Sequence, residues 1–222
     1  MLHKQRENFE FLEDIVIKTI GKLPVTPNQW TILSVVIALV GLFFVYLQLF
    51  VLALIFFLLS LSLDYVDGAI ARARDMASNS GAYLDTLADR YVEAIRLFGL
   101  LLIPTLPVII FPSFFWIFLA LFGSMITTYS KAATGEKKIA EEAVRKTLMS
   151  KGLLKVAERS ILVLLIYIAI IFNQFYVAMY LLIILALFTN ITAIRKIFKF
   201  IKYNKEIGIE KIEYKKGEKI IN

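Results

Sequence analysis

The chain contains no cysteine. That excludes a disulfide framework and any thiolate metal site. Its one histidine is His3, at the very start of the sequence, so a hydrolase-type triad built on an imidazole is not expected. Charge is scarce too: 19% of residues are Asp, Glu, Lys or Arg, against 59% hydrophobic. The hydrophobic share exceeds the roughly 45–50% of soluble domains and describes an integral membrane protein. No charged residue at all falls between Leu23 and Leu63, between Leu97 and Ser130, or between Ser160 and Ile194. A basic surface interleaved with aromatics outside the apolar runs is missing as well, so nucleic acid is not an expected partner. No internal repeat or low-complexity linker interrupts the sequence, which reads as one domain over residues 1–222.

What is present is helical. Phe9, Leu12, Val16 and Ile20 recur at three- and four-residue steps among charged residues, predicting an amphipathic helix over residues 1–22. Glu7, Glu10, Glu13, Asp14 and Lys18 break any apolar core that a signal peptide would need. Thr26-Pro27-Asn28 reads as the cap and turn opening the first membrane helix. Apolar spans follow at about 29–49, 51–73, 82–103, 108–132, 159–173 and 175–198, near the roughly 20 residues that cross a bilayer. Gln48 and Asn173-Gln174 mark tight hairpins.

Each charge-free gap holds one outside turn, and every Lys and Arg then falls on a common side. The loop Lys131 to Arg159 carries eight Lys and Arg against four Glu, and the tail Arg195 to Lys219 nine against four. The expected fold is therefore an all-α integral membrane protein of the cell membrane. It has six transmembrane helices in a bundle over 29–198, both termini cytoplasmic, and a basic cytoplasmic tail over 199–222.

One stretch breaks the apolar pattern with purpose. From Asp64 to Asp89 the chain reads DYVDGAIARARDMASNSGAYLDTLAD. Asp64 and Asp67 are three apart and Asp85 and Asp89 four apart, so each pair shares a helix face. Gly68 and Gly81 lie one turn from the pairs, where backbone or ligand can come close. Carboxylates cost roughly 2.5–3.5 kcal/mol each at the centre of a membrane helix, so they usually line a site. Converging carboxylates repel, and a divalent cation relieves the repulsion. An all-oxygen donor set favours Mg²⁺ or Mn²⁺, as one ion or a pair. Read alone, Asp64, Asp67, Asp85 and Asp89 are all candidate ligands. A charged loop with idle aspartates would need neither helical spacing nor paired glycines.

The pattern D64-x2-D67-G68-x2-A71-R72-x8-G81-x3-D85-x3-D89 resembles the complete signature of the CDP-alcohol phosphotransferases. The resemblance implies a metal-dependent membrane transferase of phospholipid biosynthesis. Such an enzyme moves a phospho-alcohol group from a CDP-linked donor to an alcohol acceptor and releases CMP. It further implies that Asp64, Asp67 and Asp85 hold two metal ions with Asp89 close by, and that Asp89 is the base for the acceptor hydroxyl. Gly68, Ala71, Arg72, Asp64 and Gly81 are expected to bind the CDP moiety, with Arg72 offering its fork of donors to a phosphate. The resemblance also suggests a homodimer among membrane lipids, its active site facing the cytoplasm.

The acceptor is less closely marked. Lys131, Arg159 and Arg195 all fall at the cytoplasmic boundary and are each ordinary flanking cations when taken alone. Together they suit a phosphate on the acceptor. T128-Y129-S130-K131-A132 and A157-E158-R159 resemble family members that use inositol phosphate, which points to a phosphatidyl- or archaetidylinositol phosphate synthase. A synthase of di-inositol phosphate using CDP-inositol is the nearest alternative, with glycerol phosphate or serine as other acceptors. A divalent-cation transporter is a different class; it leaves Gly68, Ala71 and Arg72 unexplained and places its carboxylates near one boundary rather than the midplane.

Overall fold

A computed structural model describes residues 24–136, 156–207, 213–215 and 218–220. Among these residues lie six helices: α1 Pro27–Tyr46, α2 Phe50–Ala73, α3 Asn79–Leu101, α4 Ser113–Glu136, α5 Val156–Ile171 and α6 Phe175–Ile207. Two short strands, β1 Glu213–Lys215 and β2 Glu218–Ile220, pair antiparallel with Glu213 opposite Ile220. The expected amphipathic helix over residues 1–22 lies outside the described residues. The chain forms two compact units, one running to Ile109 and including Val163–Met179, the other comprising Ile110–Leu162 and the chain from Tyr180.

The expectation of six membrane crossings is corrected. Four of the described helices are long and apolar enough to cross: Pro27–Tyr46, Phe50–Ala73, Ser113–Ser130 and Phe175–Lys202. Helix α3 has the length but carries Asp85, Asp89, Arg90, Glu93 and Arg96 within three and a half turns. Helix α5 has the composition but is described over only 16 residues. At about 1.5 Å per residue its described part spans about 24 Å, against a hydrocarbon core of about 30 Å.

In the first unit, α1 begins as its sequence dictates. Pro27 needs no amide partner in the first turn, and the Thr26 amide donates to Gln29 Oε1 at 2.8 Å. Between α1 and α2 the chain reverses through Gln48, which takes the left-handed φ of 61°. Its amide donates to the Val45 carbonyl at 2.9 Å, and that of Leu49 to Phe44 at 2.9 Å. Asn173 (φ 56°) makes the second hairpin in the same way. Both are the tight turns expected of those residues.

Small residues let α1 and α2 approach. Ala38, Ala53 and Phe57 are fully buried, and Ser60 Oγ donates to the Ser34 carbonyl at 2.8 Å. Helix α3 is held from another side, where the fully buried Tyr167 of α5 donates its hydroxyl to the Arg96 carbonyl at 2.7 Å. Burial pushes the Tyr167 phenol well above its ordinary pKa, so it stays a donor. In the second unit, Asn190 Nδ2 on α6 donates to the Leu119 carbonyl of α4 at 2.7 Å and to Ala186 at 2.8 Å. Outward faces such as Phe43, Val51, Ile55 and Phe118 are apolar and exposed, as lipid-facing helices require.

The α1–α2 seam gives a stability test. A Cβ on Gly41 would stand 2.6 Å from Phe57 Cε1. Gly41→Ala is expected to cost about 1–3 kcal/mol through overpacking, read as a lower Tm of the detergent-purified protein. An unchanged Tm would contradict the close approach.

Candidate active site

The acidic residues are brought together by two helix ends. Asp64 and Asp67 lie on the last turns of α2, where the apolar run stops, and Asp85 and Asp89 lie on the first turns of α3. The reversal between them uses local chemistry. Asp75 takes a left-handed φ of 53°, and Ser78 Oγ caps α3 by accepting from the Gly81 amide at 3.1 Å. Arg74 Nη1 donates to the Val25 carbonyl at 2.8 Å, which ties the end of α2 to the chain entering α1.

One carboxylate oxygen each from Asp64, Asp67 and Asp85 can lie within 4.8 Å of the others. Asp67 is 5% exposed, Asp64 is half-buried and Asp85 is the most open of the three. Burial first, and the Asp89 carboxylate second, push the Asp85 carboxyl above the ordinary range. Three hard oxygen donors from two helices fit a magnesium-like divalent cation, and among the described residues no softer ligand joins the group. A metal of that class therefore suits the residues present.

Asp89 lies one turn beyond Asp85 and lines the same cleft of about 520 Å³. Gly68, Ala71, Arg72 and Gly81 line it as well. A Cβ on Gly68 would meet only Arg72 Nη1 at 3.5 Å, so the cleft reaches the backbone there. At Gly81 a Cβ would press on Ser78 Oγ at 3.1 Å and Asn28 Oδ1 at 3.3 Å.

Two cleft residues escaped the reading of the sequence. Thr31 of α1 donates its hydroxyl to Asp67 Oδ2, and Asn28 lines the cleft one turn earlier. The available signal was two polar residues three apart at the start of an otherwise apolar helix. Glu93 is joined to Arg90, and Arg90 Nη2 also lies 3.5 Å from Asp89 Oδ2.

The candidate acceptor cations belong to the second unit. Arg159 is buried at 4% exposed, with Nη1 donating to Ser124 Oγ of α4 at 2.7 Å. Arg195 is exposed, whereas the adjacent Lys196 is buried at 8%. Lys131 lies on α4, and its side chain is outside the described residues.

Residues 24–192 match the CDP-alcohol phosphatidyltransferase family. The match spans the helices that carry the cleft and both units. The chain belongs to this family. It is thus a transferase of substituted phosphate groups that takes a CDP-linked donor and an alcohol acceptor, and an integral membrane protein. Over 203 residues this CDP-alcohol phosphatidyltransferase is 34% identical to the archaetidylinositol phosphate synthase of Pyrococcus horikoshii, covering 90% of the chain and 96% of the relative. It is 38% identical to part of the bifunctional IPC transferase and DIPP synthase of Thermococcus kodakarensis, over 48% of the chain and 24% of that protein. The fold resembles phosphatidylinositol phosphate synthase PgsA1 of Mycobacterium tuberculosis solved with CDP-DAG bound. The TM-score is 0.67 at 22% identity, covering 85% of this chain and 92% of that one. The PgsA1 complex with manganese and citrate gives a TM-score of 0.66 at 22% identity, covering 83% and 85%.

The Thr31 contact yields a test. Residues that orient a metal-holding carboxylate typically contribute about 10–100-fold to metal affinity. Thr31→Val should weaken Mn²⁺ binding to this degree, measured by titration with electron paramagnetic resonance of free Mn²⁺. Wild-type affinity in the variant would separate Thr31 from the site.

Proposed function

We propose that this transferase moves a lipid phosphatidyl-type group, ester- or ether-linked, from a CDP-linked lipid to inositol phosphate and releases CMP. The observation that carries this reading is the likeness to an archaetidylinositol phosphate synthase along 90% of the chain and 96% of that relative. The apolar outward faces of the helices support a lipid donor, whose tails stay in the bilayer while its pyrophosphate enters the cleft.

In this reading Asp64, Asp67 and Asp85 would hold Mg²⁺ or Mn²⁺, whose chemistry when bound would be Lewis-acid neutralisation of the pyrophosphate. Gly68, Ala71 and Gly81 let the nucleotide approach the backbone, and Arg72 binds a phosphate. Asp89 takes the proton of the acceptor hydroxyl as its oxygen attacks the phosphorus distal to cytidine, and the P–O bond to CMP breaks. Lys131 and Arg159 bind the acceptor phosphate. Arg195, and the buried Lys196 beside it on α6, are further candidates for that role. The site opens to the cytoplasm, since Arg72 and Arg74 share its end of the α2 span and basic residues mark that side. A homodimer is proposed as the working state.

A panel assay tests the reading. Purified protein with Mg²⁺ is given a CDP-linked lipid or CDP-inositol, each with inositol phosphate, inositol, glycerol phosphate or serine. CMP release is expected with CDP-lipid and inositol phosphate, and none after chelation. Release from CDP-inositol alone among the donors would favour the di-inositol phosphate reaction, which the partial likeness to the bifunctional enzyme supports. Asp89→Asn should lower kcat about 10²–10⁴-fold with donor KM little changed. A variant that keeps its turnover but needs far more metal would make Asp89 a ligand instead.

Kinetics also sort the cations. Arg159→Gln and Lys196→Gln should each raise the acceptor KM about ten- to a hundredfold and spare the donor KM, from loss of a charged hydrogen bond of about 1.5–3 kcal/mol. Arg195→Gln should do less, and Arg72→Gln should weaken donor use first. Unaltered acceptor kinetics in all the α4–α6 variants would remove the phosphate-binding role.

A further inference from the structure

Helix α2 ends in a Schellman motif. The Met76 amide donates to the Ala71 carbonyl at 2.9 Å and the Asp75 amide to the Arg72 carbonyl at 3.3 Å, with Asp75 itself left-handed at φ 53°. In this motif the side chain after the left-handed residue commonly packs on the last turn of the helix that it closes. Here the two partners are Met76 and Ala71, and a single methyl group covers little of a methionine. Met76 is 45% exposed. A lone exposed apolar side chain needs no explanation in itself, but the place of this one gives it a use.

Met76 lies beyond Ala73, where the apolar span of α2 stops, and between Arg74-Asp75 and Ser78-Asn79-Ser80. Acyl chains are therefore not its natural cover. It lines the cleft instead. Along α2 the cleft wall runs from Asp64 and Asp67 past the open backbone of Gly68 to Ala71 and then Met76. Asp67 to Ala71 is one helical turn, a rise of about 6 Å, so the carboxylates and Met76 stand toward opposite ends. Helix α3 repeats the order, with Asp85 at the acidic end and Ala82 nearer the turn. A CDP-linked donor carries the same succession of parts: a pyrophosphate that needs positive charge, a ribose, and a flat pyrimidine with apolar faces.

We propose that Met76 contacts the donor's nucleobase, its thioether covering one side of the cytosine ring while the pyrophosphate lies at the carboxylate end. Sulfur beside an aromatic ring is a favourable contact, and the unbranched side chain adapts its shape to the ring. The hydrogen-bonded turn holds the Met76 backbone in place, so only the side chain has to settle on the base. A contact of this kind adds affinity for a pyrimidine nucleotide without touching the metal. The inference rests on the reading of the cleft as the site of a CDP-linked donor.

Purified wild type, Met76→Ala and Met76→Leu are titrated with CMP by calorimetry in saturating Mg²⁺, and with Mn²⁺ alone. Met76→Ala should raise the Kd for CMP about three- to tenfold and leave Mn²⁺ affinity unchanged. Met76→Leu, which keeps the volume, should recover most of the loss. A second measurement needs no variant and serves should Met76→Ala fail to fold. Wild type in Mg²⁺ is treated with dilute hydrogen peroxide, and sulfoxide formation is followed by mass spectrometry. CMP should slow oxidation of Met76 several-fold and leave that of the exposed Met125 of α4 as it was. Unchanged CMP affinity in Met76→Ala, or oxidation of Met76 indifferent to CMP, would overturn the inference and leave the cleft's CDP reading intact. Equal weakening of CMP and Mn²⁺ would overturn it too, reducing Met76 to a support of the turn. Failure of the wild type to bind CMP at all would overturn both.

Discussion

Mutual repulsion among Asp64, Asp67, Asp85 and Asp89 is the constraint around which the first unit is built. Carboxylates confined in a partly buried cleft drive one another apart unless their helices are held from outside. Much of the holding is done by contacts that carry no charge. Phe57 packs against Gly41 between α1 and α2, and Ser60 reaches the Ser34 carbonyl. Tyr167 anchors the backbone of α3 at Arg96. Stiffness in the apolar part keeps like charges in one place, and the cleft inherits its shape from that stiffness.

The cost of this arrangement explains where the acidic residues stand. Helix α2 runs apolar from Phe50 to Leu63 and turns acidic only in its final turns. Helix α3 has its carboxylates at the near end and continues through the buried Leu97 and Leu100. Charged chemistry sits at helix ends while the lengths behind it meet lipid or protein. Thr31 and Asn28 add a third wall from the first turns of α1, so three helix termini converge on one cleft.

The cleft was legible in the sequence because its residues are close along the chain. Asp64 to Asp89 is one helix–turn–helix, and helical spacing alone puts each pair on one face. Thr31 was not legible, since its bond to Asp67 joins residues 36 apart and one threonine in an apolar run looks like any other. The hairpins at Gln48 and Asn173 were read from polar interruptions and stand as expected. The number of spans was overread. Apolar composition was weighed above the charges of α3, and a span of about 15 residues at α5 was accepted as a crossing. On α6 a helical period of 3.6 residues makes Arg195 and Lys196 face about 100° apart, and which of them turns inward depends on packing that no local pattern reveals.

Asn190 has a mechanical consequence. It directs its amide nitrogen at two carbonyls at once, one on its own helix and one on α4. In apolar surroundings neither acceptor has water to turn to. A slip of α6 past α4 by a single residue would break the cross-helix link with nothing to replace it. The pair is thus geared rather than greased: sliding of α4 past α6 costs this cross-helix hydrogen bond. Arg159, docked on Ser124 of α4, adds α5 to the same set of cross-helix links.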